Sequence, residues 1–274
     1  MYRLDHKNIS YYKAFFNTPS LWTGELDGLK QFVFPEVYFE NLEMGLIPSN
    51  VRLGHKIEHI FLKLIQHSRQ YKVIAHNIPI RKDKVSLGEI DFLLQDVDSK
   101  QFIHIELTYK FYVVHEEAVN IEYDLIGPNQ RDSFKSKKER IINHQIPLLK
   151  TPEATSVLYS LNINPEEIVH RVCFKSQLFT PFMVNNLDVV PFNPNCISGR
   201  WVPFHKFKSP EFFEYRYYLP TKPEWLLDPH NEVNWLRYNE ILDVVKVQLE
   251  KRNSPLLWMK SSDFTIVKLF VLWW

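Results

Sequence analysis

Between residues 53 and 110 the apolar positions change period. From Leu53 to Ile65, the residues Ile57, Ile60, Phe61, Leu64 and Ile65 recur at helical spacing and predict a helix with one buried stripe, with Glu58 beside it. Tyr71 to Ile80 then reads as a strand. Gly88 to Leu94 and Phe102 to Lys110 read as two more strands, joined by the polar hairpin loop Gln95 to Gln101. Residues two apart on a strand share a face. Glu89 and Asp91 therefore lie together on the first strand of this hairpin. On the second, His104, Glu106, Thr108 and Lys110 lie together, and Ile103, Ile105, Leu107 and Tyr109 form the opposite, core-facing side.

The rest of the chain divides around this block. Residues 1–50 read as a helical, aromatic segment with Leu21, Trp22 and Phe32 to Phe34 as packing anchors and Pro35 and Pro48 as breakers. Residues 51–150 form the core. It closes with a turn-rich loop, Asp124 to Gln130, and a basic helix from Arg131 to Gln145, on which Lys137, Arg140 and His144 fall on one face by helical spacing. Residues 151–274 read as an α+β extension packed on that core. It holds a helix start near Thr151, a strand from Ile168 to Lys175, strand and turn at Gly199 to Phe204, a helix from Glu232 to Lys251 and a last strand within Phe264 to Trp274. No internal repeat is present.

Composition narrows the class. The chain has 274 residues, 45% of them hydrophobic and 24% charged, as expected of a globular protein. Cys173 and Cys196 are too few and too far apart for a disulfide framework, which points to a reducing compartment and a cytoplasmic location. The first residues lack the apolar core of a signal peptide, and no apolar run is long enough to span a bilayer, so no membrane partner is expected. A net charge of +1 is not that of a general nucleic-acid coat protein. Aromatic residues make up 15% of the chain, so most must be core. Tyr215 to Tyr218 and the tryptophans 201, 225 and 235 are also chemically suited to stack on unpaired bases.

Carboxylates and a lysine gathered on two neighbouring strands suit a divalent metal and a phosphodiester. The same alternation is also what a half-exposed sheet shows, with its charges merely solvated. The histidines 55, 59 and 67 lack the partners of a zinc site and read as surface residues.

The order of helix with Glu58, strand, strand with Asp91, and strand with Glu106 and Lys110 resembles the PD-(D/E)XK nuclease superfamily. More narrowly, the chain resembles the family DUF1853, assigned to that superfamily. The resemblance rests on Leu53, Gly54 and Glu58, on Gly88 to Leu93, and on His104 to Phe111. It continues through Gly127-Pro128-Asn129, Asp132 with Lys137, His144-Gln145, Gly199-Arg200-Trp201, Leu219-Pro220 and Trp225-Leu226. It implies an α/β fold: a restriction-endonuclease-like core with a mixed central sheet flanked by helices, carrying an aromatic-rich α+β extension. It also implies a metal-dependent nuclease cleaving DNA or RNA, DNA ahead of RNA, in which Asp91, Glu106 and Glu58 hold Mg²⁺ or Mn²⁺. Glu89 is then a supporting or alternative ligand. Gln145 supports the site, and Lys137 contacts phosphate. The superfamily lysine usually lies two positions after the metal-binding glutamate, where this chain has Thr108. Lys110 lies on the same face, roughly 6–7 Å further along, and is the expected catalytic lysine. The alternatives are a nuclease fold that binds nucleic acid without cutting it, and an interaction protein with structural carboxylates. Many nucleases with this core act as dimers or rings, so a homo-oligomer stays open.

Overall fold

The structure, a computed structural model, describes residues 2–41, 46–115, 121–184 and 187–274. Residues 42–45 of the aromatic N-terminal region lie outside the described residues. The chain begins with α1 (Tyr2–Asn17), a small hairpin β1 (Glu25–Leu26) and β2 (Leu29–Lys30), and α2 (Leu53–His67). A meander follows: β3 (Tyr71–Lys82), β4 (Val85–Asp96) and β5 (Phe102–Val114). Next come the short α3 (Ile121–Asp124) and β6 (Leu125–Ile126). The basic helix starts as α4 (Phe134–Arg140), passes through a π-helical turn (Ile141–Gln145) and ends as α5 (Ile146–Leu148). The remainder is α6 (Pro152–Ser160), β7 (Ile168–Pro181), β8 (Ile197–Pro203), α7 (Phe204–Phe207), β9 (Arg216–Tyr218), β10 (Leu236–Arg237), α8 (Tyr238–Glu250), β11 (Leu256–Lys260) and β12 (Ile266–Leu272). The architecture is mixed α/β, with helices flanking sheet strands.

The chain forms two compact units. The first comprises Met1–Tyr109 and Ser136–Lys175, the second Lys110–Lys135 and Ser176–Trp274. β5 and β7 thus begin in one unit and end in the other. In the first unit, β3, β4 and β5 pair antiparallel. α2 buries the stripe read from the sequence, and its Phe61 packs on Phe92 of β4 with ring centroids 4.6 Å apart. Ile80, Ile90 and Leu93 pack instead against Leu148, Ala154 and Leu158. Gly88 permits that approach, since a Cβ there would lie 2.8 Å from Leu148 Cδ2. Thr151 caps α6, its hydroxyl accepting the Ala154 amide, and Pro152 at the first turn needs no donor.

In the second unit, β8 lies parallel to both β7 and β12, and β11 pairs antiparallel with β12 and β9. α8 packs Tyr238, Ile241 and Val245 on Tyr217, Leu257 and Leu269. It starts six residues later than the periodicity predicts, because Asn231 to Trp235 turn on themselves (Val233 N–H to Asn231 O, Trp235 Nε1 to Asn231 O) and Leu236–Arg237 pairs with β9. Tyr217, Trp201 and Trp225 are buried, so these rings are packing rather than platforms for bases. Cys173 and Cys196 are free and buried.

Candidate active site

Asp91 stands where β4 parts from β5. Their ladder runs from Gln95↔Phe102 to Phe92↔Ile105, and one step further the register sets Asp91 against Glu106. There the Asp91 side chain replaces a backbone acceptor, its Oδ2 taking the Leu107 amide at 2.9 Å. On the other side, β3 and β4 keep one register through His76↔Phe92 and Ile78↔Ile90, which sets Asn77 against Asp91. Asn77 drops out of the ladder because its φ is 51°, a left-handed conformation in which asparagine is enriched. Asn77, Asp91 and Glu106 thus occupy one row across three strands.

Helices bring the remaining groups. Glu58 of α2 accepts Asn77 Nδ2 at 2.9 Å through Oε2, and His55 Nδ1 lies 3.1 Å from the same oxygen. Glu106 is 2% exposed, so its charge needs partners. Lys137 Nζ donates to Oε1 at 2.8 Å and Gln145 Nε2 to Oε2 at 3.1 Å. Both donors come from the basic helix, but not with the grouping that regular spacing predicts. Arg140 and His144 are exposed, and Gln145 is buried in place of His144. The π-helical turn accounts for the exchange. It adds one residue to the turn, so Gln145 arrives where an unbroken α-helix would set residue 144, nearly two full turns after Lys137.

The row is electrostatically strained. Burial, and then the Glu106 carboxylate, push the Asp91 carboxyl up to about 7. The Leu107 amide and Lys137 pull the other way, and Glu58 adds to the rise. Lys137 thus offsets the Glu106 and Asp91 carboxylates, while Glu58 adds negative charge to the same row. Two buried oxygens nearby in the fold lack partners among the described residues, Asn77 Oδ1 and Thr108 Oγ1, and Thr108 is only 4% exposed. An excess of negative charge with spare oxygen acceptors fits a hard divalent cation. Asp91 and Glu106 are the side chains that could hold it, and Glu58 is linked to their row through Asn77. No group of three or more His, Cys, Asp or Glu side chains forms a ready-made metal cluster among the described residues.

The other expected residues fall elsewhere. Glu89 is exposed. Lys110 belongs to the second unit, where its Nζ lies 2.5 Å from Asp132 Oδ2. The lysine that the fold brings to the carboxylates is Lys137. His104 is 1% exposed and packs in the first unit, with Nδ1 3.1 Å from His170 Nδ1. The Gly127 to Asn129 loop is structural in the second unit: Asn129 Oδ1 accepts Ser254 N–H at 2.7 Å, and Pro128 O accepts Trp274 Nε1 at 3.1 Å. Sequence reasoning missed Asn77. The available signal was an asparagine, a poor strand former, inside an otherwise regular strand.

The chain belongs to the family described as a domain of unknown function, DUF1853, which it matches over residues 39–264. No curated protein and no solved structure matches it. No helix among the described residues is long and apolar enough to cross a membrane.

Proposed function

We propose that this DUF1853 chain is a divalent-metal-dependent nuclease of the PD-(D/E)XK type, acting on DNA ahead of RNA in a reducing cytoplasm. The observation that carries the reading is the Asp91–Glu106 row, with Lys137 and Gln145 both bound to Glu106. Mg²⁺ or Mn²⁺ held by Asp91, Glu106 and Glu58 would supply phosphate polarisation and a more acidic bound water. The chain's own groups have separate roles. The Leu107 amide fixes the Asp91 carboxylate. Gln145 fixes that of Glu106. Lys137 holds a positive charge where negative charge develops on the phosphate during attack. In this reading Lys137, arriving from a helix, stands in for the strand lysine of the superfamily pattern, and Lys110 supports the fold through Asp132.

A second reading is a nuclease fold that binds nucleic acid without cutting it. The direct Lys137–Glu106 ion pair favours it, because a carboxylate already neutralised by lysine has less charge to offer a metal. Cleavage of labelled single-stranded, double-stranded and branched DNA and RNA with Mg²⁺ or Mn²⁺ separates the two. The nuclease reading expects metal-dependent products, none from Asp91→Ala, a rate at least about 100-fold lower for Lys137→Ala, and near-normal turnover from folded Lys110→Ala. Wild type that binds these nucleic acids yet leaves them whole with either metal establishes the second reading.

A further inference from the structure

Asn77 combines three features that packing alone does not explain. Its backbone is left-handed in the middle of β3, with φ at 51°, a conformation that interrupts a strand. The amide has one end committed, Nδ2 donating to Glu58 Oε2 at 2.9 Å. The other end, Oδ1, is buried and has no hydrogen-bond partner among the described residues. A buried acceptor left empty is costly, and native proteins rarely keep one without a use. The β3–β4 register fixes where this acceptor stands, since Asn77 falls opposite Asp91, between His76↔Phe92 and Ile78↔Ile90. The bond to Glu58 also fixes which end of the amide is the oxygen. An aspartate in its place would repel Glu58, and a residue without an amide would leave Glu58, among the described residues, with the exposed His55 contact.

We propose that Asn77 is a positioning residue of the metal site, its Nδ2 turning Glu58 toward a divalent cation and its Oδ1 accepting a hydrogen bond from that cation's bound water. The inference rests on the metal-site reading given under Proposed function. It accounts for the left-handed backbone, which takes Asn77 out of the ladder and frees its side chain for Glu58, and it gives the empty acceptor a partner.

Isothermal titration of the full chain with Mn²⁺ and Mg²⁺, beside thermal unfolding without metal, tests it. Asn77→Gly keeps the left-handed backbone accessible and removes the side chain with its amide. Asn77→Asp keeps Oδ1 but replaces the donor with a charge, and Asp91→Ala reports on the site itself. The expected result is metal binding by wild type, none by Asp91→Ala, and affinity about 10-fold lower for Asn77→Gly at an unchanged melting temperature. Adding Glu58→Gln to Asn77→Gly then costs little more, because Glu58 has already lost its orientation. Asn77→Asp also binds more weakly than wild type, since it turns Glu58 away. Wild-type affinity in a folded Asn77→Gly overturns the role of Asn77 and leaves the metal site standing. A wild type that binds neither ion overturns the metal-site reading and this inference together.

Discussion

Truncating Glu106 strands two donors, Lys137 Nζ and Gln145 Nε2, at a position 2% exposed, where little water can replace the carboxylate. Lys137 is only half-buried, but an ammonium left there without its partner still destabilises a fold. Glu106→Ala is expected to lower unfolding free energy by about 3 kcal/mol. Glu106→Gln, which keeps an acceptor in place, is expected to lose less than half of that; urea unfolding of both variants measures the difference. A larger loss from the glutamine variant would mean that packing, not pairing, dominates there. At this scale Asp91 and Glu106 were legible, because strand alternation alone puts charged groups among aliphatic ones. The lysine was not. Counting positions along one strand selects Lys110, whereas Lys137 reaches Glu106 from 31 residues away. No local pattern encodes that meeting.

The elements themselves were largely written in the chain. The stripe of α2, the β4–β5 hairpin and the Thr151-Pro152 start of α6 follow from periodicity and capping, which are local. The π-helical turn at Ile141–Gln145 was not legible, since a single added residue changes no composition signal. It nevertheless decides which side chain meets Glu106. Removing that residue by deleting exposed Asn143 should turn the segment into plain α-helix with Lys137 and Gln145 seven positions apart, still on one face. The deletion is therefore expected to keep the melting temperature within about 3 °C of wild type. Inserting an alanine at the same point rotates Gln145 off Glu106 and is expected to lower the melting temperature by more than that in the same thermal scan. Circular dichroism of both variants should show the helix retained, so that the difference reports on Gln145 and not on a melted segment.

For the molecule as a whole, acid is the expected weak side. Burial, with His170 adding to it, lowers the His104 pKa to about 3, and burial with Lys150 and Arg171 lowers that of His170. The His104 ring is thus neutral in the fold down to about 3 but takes a proton in the unfolded chain near 6.5, and His170 shifts in the same direction. The unfolded state binds more protons below that value, so stability falls as pH falls through 6.5 toward 3. Between pH 7.5 and 5 the His104 contribution is about 2 kcal/mol, and His104→Leu is expected to flatten the profile in urea unfolding at the two pH values. The same slope in both proteins would assign the loss to other groups. Whole-chain organisation was the least legible level. A boundary near residue 150 follows from the end of the basic helix, while the segment Lys110–Lys135 clusters with Ser176–Trp274. Its ties are long-range, such as Asn129 to Ser254 across 125 positions and Pro128 to Trp274 across 146. That threading has a consequence on the ribosome. The loop that holds Pro128 and Asn129 emerges well before Ser254 and Trp274, which bind it, are made. Nascent chains stalled near residue 180 should therefore present this loop to chaperones and proteases, with protection returning only once Trp274 has cleared the exit tunnel.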